Sequence, residues 1–163
     1  MGEPTRASIE DAPDAPDAPG PEGLWEELVQ LLRRADLPVD DLEAEELGSF
    51  ALARRDGRLV GSGALEVYGS AALVRSVAVD PAERGNGLGG RIVEHLEQRA
   101  RSGGLSHLYL LTTTAERFFR RAGYTNLPRE EAPLAIRTSA QFSSLCPDSA
   151  AFMGKVLDPG VLP

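Results

Sequence analysis

The sequence predicts an α/β domain with a mixed β-sheet, in which an antiparallel meander precedes a parallel β-α-β unit. Three apolar stretches separated by short turn sequences predict the meander. Apolar residues at helical spacing after a glycine-rich stretch, followed by a short buried strand, predict the parallel unit. The chain has 163 residues, which suits one domain.

Each element is predicted by a local pattern. Leucines at helical spacing from Leu24 predict the first helix, Asp56-Gly57 predicts a tight hairpin, and Gly103-Gly104 predicts a helix end. The predicted elements are, in order, a helix from Leu24 that ends before Asp36, a short helix over 41–47, strands over 50–54, 59–67 and 72–79, a helix from Gly90 to Gly103, a strand over 108–111, a helix over 115–122 and a closing hairpin ending near Val156.

The N-terminal region contains the tripeptide Asp-Ala-Pro three times in succession over residues 11–19. Its charge, its proline content and its lack of large apolar side chains do not offset the entropy of ordering. Residues 1–20 are therefore predicted to form a disordered acidic tail, with a functional docking segment as the alternative. Deletion of the tail is expected to leave stability and turnover nearly unchanged. The folded domain is expected over residues 21–157, with a short C-terminal tail over 158–163.

Charge is unevenly distributed along the chain. Residues 1–47 carry 14 acidic and 3 basic side chains, whereas residues 48–163 carry 11 acidic and 14 basic ones. The mildly cationic domain suits a small anionic ligand. A nucleic acid is a poor candidate, because no dense stripe of basic residues with interleaved aromatics is present. The apolar runs are shorter than the roughly 20 residues of a membrane span, and no signal-peptide pattern opens the chain. A cytoplasmic protein without a membrane partner is expected.

The glycine-rich segment over residues 77–90 carries most of the functional information. A predicted strand runs into a loop, and the loop opens a predicted helix. Glycines leave successive N–H groups unshielded at the helix N-terminus, where partial positive charge favours an anion. This arrangement suits a pyrophosphate group.

The loop admits several interpretations. Gly85-x-Gly87-x-x-Gly90 matches the dinucleotide-binding expression, but a meander precedes it and residues 108–114 contain no carboxylate. A P-loop is excluded because no Gly-Lys-Ser/Thr sequence follows. A turn that serves only helix packing stays open.

Three ordered motifs resemble those of the GNAT superfamily of N-acetyltransferases. Arg84-x-x-Gly87-x-Gly89 resembles the superfamily's loop signature, residues 76–81 its fourth strand, and Ala115-x-x-Phe-Phe-x-x-x-Gly-Tyr124 a later helix. The resemblance covers about residues 22–157 and implies the GNAT fold, an acetyl-CoA dependent N-acetyltransferase, and acetyl-CoA as cosubstrate. The residues that it implies for coenzyme A binding are Val77, Ala78, Val79, Arg84, Gly85, Asn86, Gly87, Leu88, Gly89, Gly90 and Phe119.

A narrower likeness concerns two groups within the superfamily. Leu108-Tyr-Leu-Leu-Thr-Thr-Thr-Ala115 is similar to a stretch of the N-acetylglutamate synthases. Leu65-Glu-Val-Tyr-Gly69, Val74-Arg-Ser-Val-Ala-Val79 and residues 140–150 resemble the arsenic-resistance N-acetyltransferases. The likeness implies a small amino acid or amino-acid-like acceptor. Dimers are common in the superfamily, so the resemblance leaves a homodimer open.

Acetyl transfer needs a neutral amine, a polarised thioester carbonyl and a protonated leaving group. Glu66, at the end of a predicted strand, is the candidate general base, and a solvated carboxylate is the alternative. Thr113 is a candidate proton relay and Thr112 a candidate acceptor contact, unless these threonines only extend a strand and cap a helix. Arg75, with Ser76 beside it, is a candidate clamp for an acceptor carboxylate, or else part of a surface ion pair.

The leaving-group acid is missing from its usual position. In many GNAT enzymes a tyrosine on this helix protonates the thiolate, and the spacing to Gly123-Tyr124 places Phe119 there. Phenylalanine has no proton to give. Another donor or water then serves, or the thiolate departs unassisted, or the chain is a coenzyme A-binding or regulatory module without transferase activity.

The remaining reactive side chains predict no further chemistry. His95, His107 and Cys146 lack the spacing of metal ligands, so no metal is expected. A thiol nucleophile or arsenical ligand at Cys146 is the alternative to an inert thiol, and a single loop cysteine is expected to be inert.

Overall fold

A computed structural model describes residues 6–12, 23–37, 39, 44–139, 142 and 150–157. Its strands are β1 (Ser8–Asp11), β2 (Phe50–Arg55), β3 (Arg58–Tyr68), β4 (Ala71–Val79), β5 (His107–Thr112), β6 (Thr125–Asn126) and β7 (Ala151–Val156). Its α-helices are α1 (Leu24–Arg34), α2 (Leu88–Ser102), α3 (Glu116–Arg121) and α4 (Leu134–Arg137). The strands of the described residues form one mixed sheet in the order β1-β2-β3-β4-β5-β7-β6, which confirms the predicted fold class.

The bounds of most predicted elements are confirmed to within two residues, namely those of α1, α2, α3 and strands β2 to β5. The short helix expected over residues 41–47 is instead a 3₁₀ helix over Ala44–Ser49, and residues 41–43 lie outside the described residues. The closing antiparallel pair consists of β6 and β7, from Thr125↔Gly154 to Asn126↔Met153. No helix in the described part of the chain has the length and apolar character needed to cross a bilayer.

The prediction of a disordered tail over residues 1–20 does not hold for residues 8–11, which form β1. This strand pairs antiparallel with β2, from Ser8↔Arg54 to Asp11↔Ala51. Ala7 and Ala12 on either side of it are buried. The backbone of β2 supplies hydrogen-bond partners that composition alone does not reveal. Residues 1–5 and 13–20 lie outside the described residues.

The chain divides into two compact units, residues 1–64 with 76–96, and residues 65–75 with 97–163. The core of the first unit forms on one face of α1, because its leucines recur at helical spacing. These leucines are fully or nearly fully buried together with apolar residues of β2, β3 and β4. The core contains Leu24, Leu28, Leu31, Leu32, Phe50, Leu52, Leu59 and Ala78.

Helix α2 lies close to β3 at two glycines of the first unit. A Cβ atom at Gly61 would lie 2.7 Å from Cδ1 of Ile92. A Cβ atom at Gly63 would lie 2.8 Å from Cγ2 of Ile92 and 2.8 Å from Cδ1 of Leu96. Glycine at both positions therefore lets the helix approach the strand, and this contact sets the position of the helix that the glycine-rich loop opens.

The second unit is built around β5. This strand pairs antiparallel with β7, from His107↔Val156 to Thr112↔Ala151. It also pairs in parallel with β4, from Ala71↔His107 to Leu73↔Tyr109, which confirms the predicted parallel unit. The buried core of this unit contains Ala71, Leu73, Ala132, Ile136 and Phe152.

Candidate functional site

The glycine-rich loop connects β4 to α2 and begins with a capped turn. The carboxylate of Asp80 accepts a hydrogen bond from the N–H of Ala82 at 3.0 Å. The N–H of Asp80 donates to the carbonyl of Val60 at 2.8 Å. Gly85 and Gly87 follow with φ of 89° and 77°, in the left-handed region that favours glycine. The sequence of the loop thus matches the backbone conformation that it adopts.

Helix α2 begins at Leu88, directly after this loop. The N–H of Arg91 donates to the carbonyl of Gly87 at 3.2 Å, and the N–H groups before it have no partner inside the helix. A Cβ atom at Gly85, Gly87 or Gly90 would meet no heavy atom within 4 Å. A ligand therefore has room to approach the loop backbone, and the helix N-terminus favours an anion there.

Charged side chains connect the loop to strands β2, β3 and β4. Glu83, which is 8% exposed, accepts a hydrogen bond from Nε of Arg55 at 2.9 Å. Nη2 of Arg58 lies 3.9 Å from the same carboxylate. Nε of Arg84 donates to the carbonyl of Val79 at 3.4 Å, so its side chain folds back onto the end of β4. Sequence analysis did not identify the contact of Glu83 with Arg55, because the two residues are far apart along the chain.

The strand that leads into the loop is irregular at one residue. Ser76 has φ of 56°, which is uncommon for a residue other than glycine. Its carbonyl accepts a hydrogen bond from Oγ of Ser62 at 2.9 Å. Residues 77–79, which the family resemblance implies for coenzyme A binding, follow this point directly. Ala78 is buried, whereas Val77 and Val79 are half-buried.

Glu66 and Arg75, the two residues predicted to contact the acceptor, bind each other. Nη1 of Arg75 donates to Oε1 of Glu66, and the side chains are 3% and 26% exposed, respectively. The hydroxyl of Tyr68 donates to Oε2 of the same carboxylate at 2.7 Å. The neighbouring strands β3 and β4 bring the two predicted residues together, and the carboxylate is the more exposed partner of this mostly buried ion pair.

Tyr68 is a member of this cluster that sequence analysis missed. Burial, followed by the hydrogen bond to Glu66 and the charge of Glu66, raises the pKa of Tyr68 to about 12. In the sequence, Tyr68 was considered only as part of a turn and of the motif Leu65-Glu-Val-Tyr-Gly69. Residues two positions apart on a strand share one face, so the spacing from Glu66 was the signal that identifies the contact.

The candidate site residues at the end of β5 and on α3 make contacts within the fold. Oγ1 of Thr112 accepts a hydrogen bond from the N–H of Ala115 at 2.9 Å, which is the capping alternative. Thr113 is exposed. Phe119 is 6% exposed and packs edge-to-face against Phe118 at 4.9 Å and against Tyr124 at 5.6 Å between ring centroids.

A second buried polar cluster lies beside Phe119. The hydroxyl of Tyr124 donates to Glu97 at 3.0 Å, and Nζ of Lys155 donates to both oxygens of Glu97 at 3.1 and 3.2 Å. Nζ of Lys155 also donates to the carbonyl of Ala122 at 2.9 Å. Burial, followed by the charge of Glu97, raises the pKa of Tyr124. These contacts hold the turn after α3.

Cys146, for which the sequence left a thiol nucleophile or an arsenical ligand as an alternative, lies outside the described residues.

Comparison with known protein families shows the family to which the chain belongs. The model of the acetyltransferase (GNAT) family matches residues 12–124, which include the strand, the loop and the helix described above. The chain belongs to the GNAT acetyltransferase family. Among curated GNAT relatives, an amino-acid acetyltransferase from Mycobacterium tuberculosis is 41% identical over 91 residues. This match covers 55% of the present chain and 49% of that protein, so the chain spans about half the length of this relative.

Solved structures share the GNAT fold at low sequence identity. N-acetylglutamate synthase from Neisseria gonorrhoeae, complexed with coenzyme A and N-acetyl-glutamate, has a TM-score of 0.78 at 20% identity. That similarity covers 96% of this chain and 36% of the synthase chain. Rv2747 from Mycobacterium tuberculosis, in complex with CoA and NLQ, has a TM-score of 0.70 at 24% identity and covers 92% of this chain and 99% of its own.

Proposed function

We propose that this GNAT chain transfers the acetyl group of acetyl-CoA to the amine of an amino acid or an amino-acid-like compound. The observation that carries this proposal is the loop before α2, in which Gly85 and Gly87 are left-handed and open to a ligand. The curated relative that is 41% identical is an amino-acid acetyltransferase, and both similar solved structures contain coenzyme A, which supports the proposal.

The loop is proposed to bind the pyrophosphate of coenzyme A. N–H groups over residues 84–90 are the donors, and the partial positive charge at the start of α2 favours the phosphates. The backbone of residues 77–79 is proposed to bind the pantetheine arm and to polarise the thioester carbonyl. Phe119 is proposed as a further contact with coenzyme A.

In the proposed reaction, the acceptor nitrogen attacks the thioester carbon, a C–N bond forms, and the C–S bond breaks to release the thiolate. An amine with a pKa of about 10.4 is mostly protonated at neutral pH, so a base accelerates the reaction. Glu66 is proposed to receive the amine proton. Arg75 and Tyr68 hold its carboxylate in position. Thr113 is the proposed relay of a proton to the leaving group.

The acceptor carboxylate is proposed to bind Arg75. The planar guanidinium fork suits bidentate binding of a carboxylate, which supports this proposal. The Arg75 side chain is only 3% exposed, so the acceptor would share a mostly buried arginine with Glu66. Ser76 and Thr112 are the further proposed acceptor contacts.

A second function is favoured by one specific observation. Phe119 occupies the position that resembles the leaving-group tyrosine of many GNAT enzymes, and it is packed between two aromatic rings. A chain that binds coenzyme A without catalysing transfer would have no need of a proton donor there. A coenzyme A-binding or regulatory module is therefore the alternative.

Release of free thiol from acetyl-CoA, measured against a panel of amino acids and carboxylate-free amines, separates the two functions. We expect turnover with at least one amino acid, a lower kcat and a changed pH–rate profile in Glu66→Gln, and a higher KM for the acceptor in Arg75→Ala. Binding of coenzyme A without turnover on any acceptor would favour the regulatory module. Equal turnover of carboxylate-free amines would contradict the role of Arg75.

Three finer features stay predictions of the sequence. They are the likeness to the arsenic-resistance N-acetyltransferases, the cytoplasmic location and the homodimer. Each has its own measurement: growth of a deletion strain on arsenical compounds, fractionation of cells, and the mass of the purified protein in solution.

A further inference from the structure

Glu83 is a buried acidic residue within an exposed part of the loop. Its neighbours Ala82 and Arg84 are exposed, whereas Glu83 itself is 8% exposed. Oε2 of Glu83 accepts a hydrogen bond from Nε of Arg55 at 2.9 Å, and Oε1 lies 3.9 Å from Nη2 of Arg58. Arg55 ends β2 and Arg58 begins β3, so the carboxylate ties the loop to the hairpin between these strands.

Burial of this carboxylate has a cost that an apolar side chain would avoid. A buried carboxylate is tolerated only when it is paired and hydrogen-bonded, and replacement of buried ion pairs by apolar residues is often neutral or stabilising. The pair of Glu83 and Arg55 is therefore poorly explained by stability alone. It does provide a directional contact, which fixes the orientation of the short 3₁₀ helix Pro81–Glu83.

The glycines that follow explain why a directional contact is useful. Glycine has the largest conformational freedom of any residue, so a loop with Gly85 and Gly87 loses much entropy when it orders around a ligand. Restraint of the loop before binding lowers that cost, because preorganisation improves affinity without new ligand contacts. Asp80 restrains the start of the loop through Arg34 at 3.3 Å, and Glu83 restrains the residues just before the glycines.

We propose that Glu83 and Arg55 are positioning residues, whose ion pair holds the loop in the conformation that binds the pyrophosphate of coenzyme A. The inference rests on the proposed function of the loop and assigns a residue pair that acts through it. Neither side chain needs to touch the ligand. The pair sets the direction of the N–H groups that do.

Because Glu83 and Arg55 carry opposite charges, the loss of each is expected to have a different effect on the binding of an anionic ligand. Without Arg55, the Glu83 carboxylate keeps the more distant Arg58 among the described residues, and less of its negative charge is compensated in the segment that receives an anion. Without the carboxylate, two arginines remain, and their charge favours an anion. Loss of Arg55 is therefore expected to weaken coenzyme A binding more than loss of Glu83 does.

The experiment measures the Kd for coenzyme A by isothermal titration calorimetry in the full chain. Arg55→Gln is expected to raise Kd about tenfold, equivalent to about 1.4 kcal/mol, and Glu83→Gln to raise it less. The double variant is expected to show less than the sum of the two effects, because both belong to one interaction. Where acetyl transfer is measured, KM for acetyl-CoA rises and KM for the acceptor stays unchanged.

The adjacent residue on β2 supplies the matched control. Arg54 forms an ion pair of the same type with Glu10, with Nε 3.2 Å from Oε1, and that pair does not involve the loop. Arg54→Gln is expected to leave the Kd for coenzyme A unchanged. An equal rise of Kd in Arg54→Gln and Arg55→Gln would overturn the inference, since any ion pair on β2 would then have the same effect.

The remaining outcomes distinguish this inference from the proposed function. If the wild-type chain binds coenzyme A and Arg55→Gln binds it equally well with unchanged circular dichroism, the positioning role is wrong while the binding loop stands. If the wild-type chain does not bind coenzyme A, the proposed function fails first, and the positioning role fails with it. If Arg55→Gln does not fold, the double variant decides, because it leaves no unpaired carboxylate. Unchanged Kd in the double variant also overturns the inference.

Discussion

The hydroxyl of Tyr68 donates a hydrogen bond to Oε2 of Glu66 at 2.7 Å, while Arg75 binds the other oxygen of the same carboxylate. Deprotonation of Tyr68 would remove the donor and place a second negative charge beside Glu66. Burial and the neighbouring carboxylate accordingly raise the pKa of Tyr68 from 10.0 to about 12. The cluster therefore depends on pH in the alkaline range.

The first prediction concerns stability at high pH. Because the pKa of Tyr68 is higher in the folded chain, the neutral phenol contributes stability that is fully present below pH 10.0 and is lost as the pH rises to about 12. The free energy of unfolding of the wild type should therefore fall relative to Tyr68→Phe across this interval, as measured by urea unfolding at several pH values. A constant difference between the two proteins would contradict the raised pKa. In Glu66→Gln, ultraviolet titration should show Tyr68 ionising at lower pH.

The second prediction concerns the loop backbone. Gly87→Asp should abolish coenzyme A binding, because it adds bulk and a negative charge where the phosphates are proposed to bind. Gly57→Asp is the matched control, since Gly57 has φ of 79° against 77° for Gly87, and a Cβ atom added at either position would meet no heavy atom within 4 Å. Gly87→Asn separates charge from bulk and strain, and should retain more binding than Gly87→Asp. Full affinity in Gly87→Asp, with an intact fold, would remove the loop as the site.

The third prediction concerns the packing of α2 on β3. Gly61→Ala should destabilise the fold by about 1 to 3 kcal/mol, because its Cβ atom would lie 2.7 Å from Cδ1 of Ile92. Ile92→Val removes Cδ1, so it should partly restore stability in the Gly61→Ala background. The same change should not rescue Gly63→Ala, whose Cβ atom meets Cγ2 of Ile92 and Cδ1 of Leu96. Equal rescue of both glycine variants, measured by urea unfolding, would argue against this packing.

The fourth prediction revises the expectation that residues 1–20 are dispensable. Deletion of residues 1–12 should lower the melting temperature by roughly 5 °C, because it removes the pairing of β1 with β2. It also removes the hydrogen bond from Arg91 to the carbonyl of Ala7 at 2.9 Å and the contact of His95 with Asp11 at 2.9 Å. An unchanged melting temperature would show that β1 contributes nothing to stability. Asp11→Asn provides a milder comparison, because it keeps the strand and neutralises only the partner of His95.

The correct predictions from sequence share one property, which is that their physical cause is local. Helical spacing of leucines places one face of α1 in the core, and Asp56-Gly57 permits a two-residue hairpin. The strand, the loop and the helix over residues 77–90 were identified for the same reason. Left-handed φ at Gly85 and Gly87 favours glycine, and glycine is visible in the sequence.

Two features that the sequence did not reveal depend on partners that are distant along the chain. Composition alone predicted disorder for residues 8–11, although β2 offers them a hydrogen-bonded partner 40 residues or more away. In the sequence, Glu83 is one of several charged residues near the loop. Its hydrogen bond with Nε of Arg55 at 2.9 Å is visible only in the structure.

The sequence by itself therefore determined the mixed α/β fold and the glycine-rich loop between β4 and α2, because periodicity and glycine content act over a few residues. Only the tertiary structure decided how those candidates pair. Glu66 and Arg75 were predicted to serve different ends of an acceptor, and the structure joins them in one ion pair with Tyr68. Opposite charges that lie on neighbouring strands and are both withdrawn from solvent are stabilised by pairing, and the pairing of β3 with β4 brings these two side chains into contact.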